Sequence, residues 1–261
     1  MRIHGTTYRA FLFDVDRTLT DRTAAITRRT ETALRALAKN YKIGVCTGRH
    51  FATLKETFRC FPEHSLHVVS GGAQIIDTTG KVQWERLIPY GIAMDIVRMF
   101  EETNAELYLQ TDDRIFGNEA AQKQWNKNTP PIFPLEAFPA VDVPIITVDS
   151  VHQGVLETLS QKSEIAYTSM IGYRGQRFVD IVAHGVNKAV GIRVWCRLHH
   201  FFPGEVVGFG DSENDIEFLE TVGYAVAVGN AGEEVKRIAN EVIGSSDADG
   251  VAQWIEKHLS L

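Results

Sequence analysis

The stretch Ala10-Phe11-Leu12-Phe13-Asp14-Val15-Asp16 decides the fold of this chain. Its first four residues form a short run that is apolar throughout, and such a run is typical of a strand buried on both faces. Two carboxylates, Asp14 and Asp16, stand at the end of the run. The stretch therefore predicts a fully buried strand that ends in acidic side chains.

Apolar runs of the same kind recur on both sides of a long middle segment. Before that segment, residues 43–46 and 66–69 are predicted strands, residues 27–40 a helix, and residues 73–77 with 82–85 a hairpin. After it, predicted helices and strands alternate at residues 188–198, 206–209, 214–219, 225–228 and 233–239. Such alternation is typical of a parallel sheet with helices on both faces.

The middle segment follows a different pattern. It contains predicted helices at residues 91–102 and 151–161, predicted strands at 107–111, 145–148, 165–169 and 178–182, and a proline-rich connection at 130–144. We therefore predict an α/β fold with a Rossmann-like parallel-sheet core formed by residues 1–88 and 184–261. Residues 89–183 would form an inserted α+β cap domain.

Polar residues cluster where the predicted core strands end. Asp14 and Asp16 follow the first strand, Thr47-Gly48-Arg49 follows the second, and Asp211, Asn214 and Asp215 follow the strand at 206–209, while Lys188 opens a helix. Ligands of parallel α/β sheets bind at this edge. Four converging acids would repel one another without a cation, and hard carboxylate oxygens suit Mg²⁺. Because Mg²⁺ shares its coordination with phosphate oxygens, we expect a phosphorylated substrate, with Lys188 and Thr47 holding its phosphoryl oxygens.

These motifs together resemble the haloacid dehalogenase superfamily, specifically its Cof-like class IIB phosphatases with a C2 cap. The resemblance rests on Asp14-Val15-Asp16-Arg17-Thr18-Leu19-Thr20, on Cys46-Thr47-Gly48-Arg49, on Lys188 and on Gly210-Asp211-Ser212-Glu213-Asn214-Asp215, and it covers nearly the whole chain.

The resemblance also implies a role for each of these residues. Asp14 would be the nucleophile, and Asp16 the general acid and base. Mg²⁺ would be held by Asp14, Asp16, Asp211 and Asp215, with Asp16 acting through its backbone carbonyl and Asp215 through water. The phosphoryl group would be bound by Thr47, Gly48, Lys188 and Asn214.

The chain departs from the family pattern at Arg17, where Gly is usual, and at Ser70, where Asn is usual. Arg17 would cost about 1 kcal/mol or more if its φ is positive, and otherwise its guanidinium would face the substrate. Arg174 and Arg177, beside a predicted hairpin of the insert, are further candidates for setting substrate specificity.

The composition of the chain argues against several classes of binding partner. The formal net charge of −6 argues against binding nucleic acid or an anionic membrane over a broad surface. Three widely spaced cysteines fit neither a disulfide framework nor a zinc site, and the apolar run at 10–13 is too short for a signal peptide or a spanning helix. We expect a cytoplasmic protein whose partner is a small phosphorylated metabolite. The sequence does not indicate the oligomeric state.

The leading functional hypothesis is a Mg²⁺-dependent phosphomonoester hydrolase that forms a phospho-aspartate and acts on a sugar phosphate or a phosphorylated acid. One alternative is a phosphomutase similar to eukaryotic phosphomannomutase, since residues 13–16 and 42–45 look similar in that family. The other is a non-catalytic protein that binds a phosphorylated ligand.

Overall fold

The structure is a computed structural model that describes residues 1–100, 103–111, 113–124, 130–151, 153–171 and 176–259. The helices in these ranges are α1 (Arg28–Leu37), α2 (Lys55–Phe58), α3 (Tyr90–Phe100), α4 (Glu119–Gln124), α5 (Gln153–Ser160), α6 (Lys188–Leu198), α7 (Ile216–Thr221), α8 (Glu233–Ile238) and α9 (Gly250–Leu259). The strands are β1 (Arg2–Ile3), β2 (Thr6–Thr7), β3 (Ala10–Phe13), β4 (Lys42–Val45), β5 (Leu66–Val69), β6 (Gln74–Asp77), β7 (Val82–Glu85), β8 (Glu106–Gln110), β9 (Ile115–Gly117), β10 (Ile132–Pro134), β11 (Ile146–Asp149), β12 (Ile165–Ile171), β13 (Arg177–Ala183), β14 (Val206–Gly210), β15 (Tyr224–Ala227) and β16 (Glu241–Val242).

The core is a five-stranded parallel sheet in the order β16-β15-β14-β3-β4. All four residues of β3 are buried, as their apolar side chains predict. A parallel bridge between Cys46 and Val68 connects β4 to β5, which continues into the antiparallel hairpin of β6 and β7. The carboxyl ends of β3, β4 and β14 therefore meet at one edge of the core.

Helices cover both faces of the core sheet. On one face, Trp254 of α9 packs edge-on against Phe11 and Phe209. On the other face, the ring of Phe218 from α7 packs over Gly208, where a Cβ would collide with it. Leu12 and Trp195 pack over Gly44 in the same way. Helix α9, which covers the first of these faces, was not predicted from the sequence.

A second sheet, the insert sheet, has the strand order β10-β9-β8-β11-β13-β12. Its pairs are antiparallel except for β9 with β10. The side chains on one face pack with residues of α3 and α5, and include Leu107, Leu109, Ile146, Val148, Val179 and Ile181. The opposite face of the same strands carries Tyr108, Gln110, Thr147 and Asp180.

The segment 130–144, predicted as a connection, contains a strand that the sequence did not reveal. This strand, β10, pairs with β9 at the edge of the insert sheet and includes Pro134. Proline is tolerated at a sheet edge because its missing N–H need not be paired. The domain boundaries after residues 88 and 183 remain a prediction.

Within the described ranges, no helix combines the length and apolar character needed to span a membrane.

Candidate active site

The carboxylate of Asp14 lies at the carboxyl edge of the core sheet. Its backbone N–H donates to the carbonyl of Phe209 at 2.8 Å, which extends the pairing of β3 and β14 up to the first acid. Asp14 is 4% exposed, and Asp215 in the loop after β14 is fully buried. The parallel pairing therefore brings together two acids that are 201 positions apart in the sequence.

Lys188 is held between these two acids. Its Nζ donates to Asp14 Oδ1 at 2.9 Å and to Asp215 Oδ1 at 2.5 Å. Burial alone would lower the pKa of Lys188, but the two carboxylates outweigh it and raise that pKa well above its ordinary value. The buried lysine is therefore a fixed positive charge beside Asp14.

Two local features place Lys188 at the start of α6. Asn187 caps the helix, since its Oδ1 accepts a hydrogen bond from the N–H of Val190 at 2.8 Å. Gly72, with φ of 98°, leaves no room for a side chain, because a Cβ there would lie 2.1 Å from the carbonyl oxygen of Asn187. The glycine thus lets the loop after β5 pack directly against the beginning of α6.

Carboxylate oxygens of Asp14, Asp211 and Asp215 lie within 4.8 Å of one another. Burial, and next the charge of Asp215, raise the pKa of Asp14 well above its usual range, and the same two causes raise that of Asp211 to about 7. The cluster thus places three carboxylates around the single positive charge of Lys188. A hard divalent cation would relieve their repulsion, so the residues present fit Mg²⁺.

Asp16 is placed differently from Asp14. Its carboxylate is 47% exposed and accepts two hydrogen bonds from Arg49, from Nε at 2.8 Å and from Nη2 at 2.5 Å. It is not part of the cluster formed by Asp14, Asp211 and Asp215. The two acids of the first motif therefore have separate environments, which the sequence analysis expected only from the resemblance.

The predicted phosphate-binding residues lie around the same edge. Thr47 is buried after β4, and its Oγ1 accepts from the N–H of Arg49 at 3.1 Å. Gly48 lies next to the insert sheet, because a Cβ there would be 3.2 Å from Asp180 Oδ2. Asn214 stands next to Asp215, and its Oδ1 accepts from Ser212 Oγ at 2.7 Å.

Both departures from the family pattern fall at backbone positions with positive φ, 58° at Arg17 and 52° at Ser70. Gly and Asn adopt this conformation most easily, which explains why they are usual there. The guanidinium of Arg17 forms an ion pair with Asp247 at 3.1 Å. Of the two alternatives expected for Arg17, the structure therefore shows the positive φ. The side chain contacts Asp247.

Of the two arginines predicted for the insert, Arg177 is described by the structure and does not join the cluster. Arg177 donates to Ser169 Oγ at 2.9 Å, and strand alternation puts it on the same side of β13 as the buried Val179, opposite Asp180. Arg174 lies outside the described residues.

Two residues at this site were not predicted from the sequence, namely Arg49 as the partner of Asp16 and Asp180 as a residue that the insert contributes. The sequence carries a weak signal for the second of these residues. In Phe178-Val179-Asp180-Ile181-Val182, a single carboxylate interrupts an otherwise apolar strand.

Comparison with known proteins defines the family. The model of the haloacid dehalogenase-like hydrolases matches residues 11–255. The chain belongs to this family, which confirms the predicted fold class, the superfamily and the enzyme class of hydrolase.

Among its relatives, the chain is 26% identical to the pyridoxal phosphate phosphatase YbhA of Escherichia coli K12, over 97% of this chain and 99% of that protein. It is 24% identical to an HMP-PP phosphatase of Yersinia pseudotuberculosis, over 97% and 96% of the two chains. A solved structure of a subclass IIB sugar phosphatase superposes with a TM-score of 0.79 at 26% identity, covering 97% of this chain and 99% of that one.

Proposed function

We propose that the protein is a Mg²⁺-dependent phosphomonoesterase that transfers the phosphoryl group of a small metabolite first to Asp14 and then to water. The observation that carries this proposal is the setting of Asp14. Its carboxylate is buried, receives a hydrogen bond from Lys188 at 2.9 Å and lies within 4.8 Å of the carboxylate oxygens of Asp211 and Asp215. A nucleophile, a fixed cation and a set of metal ligands thus meet at one point.

Asp14, Asp211 and Asp215 would hold the metal, together with the backbone carbonyl of Asp16 as the family resemblance implies. When bound, Mg²⁺ supplies positive charge to the phosphoryl oxygens and lowers the repulsion between the dianionic ester and the carboxylates. Lys188 adds a second positive charge that needs no metal.

In the first chemical step, a carboxylate oxygen of Asp14 forms a bond to phosphorus, and the bond from phosphorus to the ester oxygen breaks. Asp16 gives its proton to the departing alkoxide. In the second step, water attacks the phosphorus and Asp16 accepts its proton. The bond from phosphorus to Asp14 breaks, which releases inorganic phosphate and restores the carboxylate of Asp14.

Arg49 is part of this proposal because it occupies both oxygens of Asp16 in the structure. Asp16 can transfer a proton to the leaving group only if one of these oxygens is released. Substrate phosphoryl oxygens are strong acceptors for a guanidinium, so we expect the substrate to draw Arg49 away from Asp16.

Three groups at the edge would bind the phosphoryl oxygens during transfer. Thr47 contributes its hydroxyl, Gly48 its backbone N–H, and Asn214 its amide, with Lys188 completing the set. Since charge on the phosphoryl oxygens is what the protein must stabilise, these donors matter most in the transition state.

The names of the relatives support the substrate class. They are phosphatases named for pyridoxal phosphate, for HMP-PP and for sugar phosphates, and all of these are small phosphorylated compounds.

Phosphate release from p-nitrophenyl phosphate and from a panel of phosphorylated metabolites tests the proposal. We expect turnover that requires Mg²⁺ and that EDTA abolishes, together with a phosphoryl group on Asp14 after rapid quench and mass spectrometry. A folded, Mg²⁺-loaded protein that releases phosphate from none of these esters contradicts the proposal. Interconversion of hexose 1- and 6-phosphates in the presence of a bisphosphate activator would instead identify a phosphomutase.

A further inference from the structure

The polar face of the insert sheet carries a hydrogen-bonded row of three side chains. Thr147 Oγ1 donates to Asp180 Oδ1 at 2.7 Å, and Gln110 Nε2 donates to Thr147 Oγ1 at 3.4 Å. The three residues come from neighbouring strands, β8, β11 and β13. Each strand contributes apolar residues to its other face, so the row is confined to one side of the sheet.

This side of the sheet faces the proposed active site. Asp180 Oδ2 lies 3.2 Å from the position that a Cβ would take at Gly48, in the loop proposed to bind the phosphoryl group. Two residues along β13, Val182 Cγ1 lies 3.5 Å from the position that a Cβ would take at Gly71. A side chain at residue 48 would crowd the carboxylate, so glycine at this position permits the approach.

Thr147 fixes only one oxygen of Asp180. The other oxygen, Oδ2, is directed at the loop, and the residue is half-buried, so part of it stays accessible. Burial raises the pKa of Asp180 to about 6, while Thr147 and then Lys188 act in the opposite direction.

The charges around this space are unbalanced. Among the residues that the structure describes there, five carboxylates, those of Asp14, Asp16, Asp180, Asp211 and Asp215, are opposed by the cationic side chains of Lys188 and Arg49. A divalent cation and a phosphoryl dianion together add no net charge. A leaving group that carries a carboxylate would increase the excess of negative charge. A hydroxyl or an ammonium group would instead donate a hydrogen bond to the carboxylate of Asp180.

We propose that Asp180 selects the leaving group, favouring phosphate esters whose alcohol part carries a hydroxyl or protonated amine and rejecting those that carry a carboxylate. This inference rests on the proposed phosphomonoesterase function and narrows its substrate class. Of the two substrate types expected from the sequence, it favours sugar-like esters over phosphorylated acids. Thr147 is a positioning residue, since it holds the carboxylate in place.

A matched series of three-carbon esters tests the inference. Propyl, 3-hydroxypropyl, 3-aminopropyl and 2-carboxyethyl phosphate differ chiefly in the group that would meet Asp180. With Mg²⁺, we expect the amino ester to exceed the carboxylate ester in kcat/KM by about tenfold or more, with the hydroxyl ester also above propyl phosphate. Asp180→Asn should reduce the preference for amino over carboxylate ester about tenfold, measured as the ratio of the two kcat/KM values on the same variant.

Two further variants separate recognition from damage to the fold. Asp149→Asn removes a charge from the same face of the insert sheet, where Asp149 accepts from Gln176, and should leave the substrate preference unchanged. Thr147→Val frees Asp180 without removing its charge, and should give a smaller loss of preference than Asp180→Asn. An unchanged ratio in Asp180→Asn overturns the inference, as does an equal loss on every ester.

A binding measurement keeps this inference separate from the proposed activity. Calorimetry with 3-aminopropylphosphonate and 2-carboxyethylphosphonate, which cannot be hydrolysed, reports the same selectivity without turnover. A protein that hydrolyses no ester but binds the amino compound about tenfold more tightly, in a manner lost in Asp180→Asn, refutes the phosphatase and supports the selection by Asp180. Equal Kd values for both phosphonates in the unmodified protein overturn the inference even if phosphatase activity is present.

Discussion

Strand β3 of the core sheet is apolar on both faces, whereas strands β8, β11 and β13 of the insert sheet carry polar side chains on one face. In β3, Ala10–Phe13 are all buried, and the first carboxylate appears only where the strand ends. In β13, Asp180 stands within the strand, between the buried Val179 and Ile181.

This difference suits the edge of the core sheet to chemistry and the polar face of the insert sheet to substrate selectivity. Side chains at the edge of a parallel sheet are fixed by backbone pairing from several strands at once, which suits groups that must meet within a few ångströms. Side chains on the open face of an antiparallel sheet can be exchanged one at a time without disturbing the opposite, packed face. We expect chemistry at the core edge and selectivity on the insert face, and substitutions can test this division.

The largest effect is expected for Asp14→Asn at the core edge. Removing the proposed nucleophile should lower kcat by roughly 10⁴-fold or more on every ester and eliminate the phosphoenzyme, because we expect no neighbouring residue to replace the lost carboxylate. Rapid quench with mass spectrometry measures both. Asp21→Asn, which removes a partly exposed carboxylate from the following loop, is the matched control and should stay active. A phosphoryl group found on another residue would contradict the assignment.

Asp16→Asn should have the next largest effect, and it should depend on the leaving group. The variant keeps Asp14 and Lys188 but lacks the proton donor, so kcat for an alkyl phosphate should fall by roughly 10² to 10⁴-fold. The loss should be smaller for formation of phospho-Asp14 from p-nitrophenyl phosphate, whose leaving group needs little protonation, and slow hydrolysis should let the adduct accumulate. Stopped-flow release of nitrophenol and quench analysis of the adduct separate the two steps. Equal losses of kcat on both esters would indicate that Asp16 acts in metal binding or substrate binding and not as the proton donor.

Asp211→Asn should weaken Mg²⁺ binding by roughly tenfold or more, since one carboxylate of the cluster becomes neutral. Isothermal calorimetry measures the affinity, and kcat should recover in part at high Mg²⁺. The pKa of Asp211 is raised to about 7, so protons compete with the metal below that pH. Affinity in the unmodified protein should therefore rise between pH 6 and pH 8, and less so in the variant. Asp95→Asn, on α3, is the control for the loss of one charge.

The core edge was largely predictable from the sequence, and the insert face was not. A run such as Ala10–Phe13 has one reasonable interpretation, and polar residues that follow such runs necessarily meet at one edge of a parallel sheet. Asp180 gives no comparable signal. Its importance depends on which face of β13 turns toward Gly48, and this is set by packing between segments distant in the sequence.

Other features were unpredictable for related reasons. The pairing of Asp16 with Arg49 depends on the turn Val15–Leu19, whose conformation includes a positive φ that a non-glycine residue rarely adopts. The strand β10 is only three residues long and contains Pro134, so it lacks the periodicity by which longer strands are detected.

Arg17→Asn tests whether the turn after Asp16 contributes selectivity to the core edge. Asn tolerates the φ of 58° better than Arg, but the variant loses an ion pair with Asp247 that is partly exposed. We expect the free energy of unfolding to change by less than about 1 kcal/mol and kcat/KM by less than about threefold on all esters. Urea unfolding and steady-state kinetics measure the two. A loss of kcat/KM above tenfold that is confined to the best substrate would show that Arg17 contacts the substrate, as the sequence suggested.

The smallest effect is expected for Arg177→Ala, which compares the two faces of β13 directly. Arg177 lies on the side of β13 that also carries Val179, and its guanidinium donates to Ser169 on the adjacent strand. Truncation removes this contact without altering the row that ends at Asp180, three residues away on the opposite face. We therefore expect kcat/KM to change by less than about twofold for every ester, with the amino-to-carboxylate preference intact, while the melting temperature falls slightly. Asp180→Asn, measured on the same esters, should show the reverse pattern of lost preference with little change in melting temperature. If Arg177→Ala instead reduces kcat/KM for the best substrate about tenfold more than for p-nitrophenyl phosphate, then the side of β13 that carries Arg177 also contacts substrate. The division between a packed and a selective face would then be wrong for this strand.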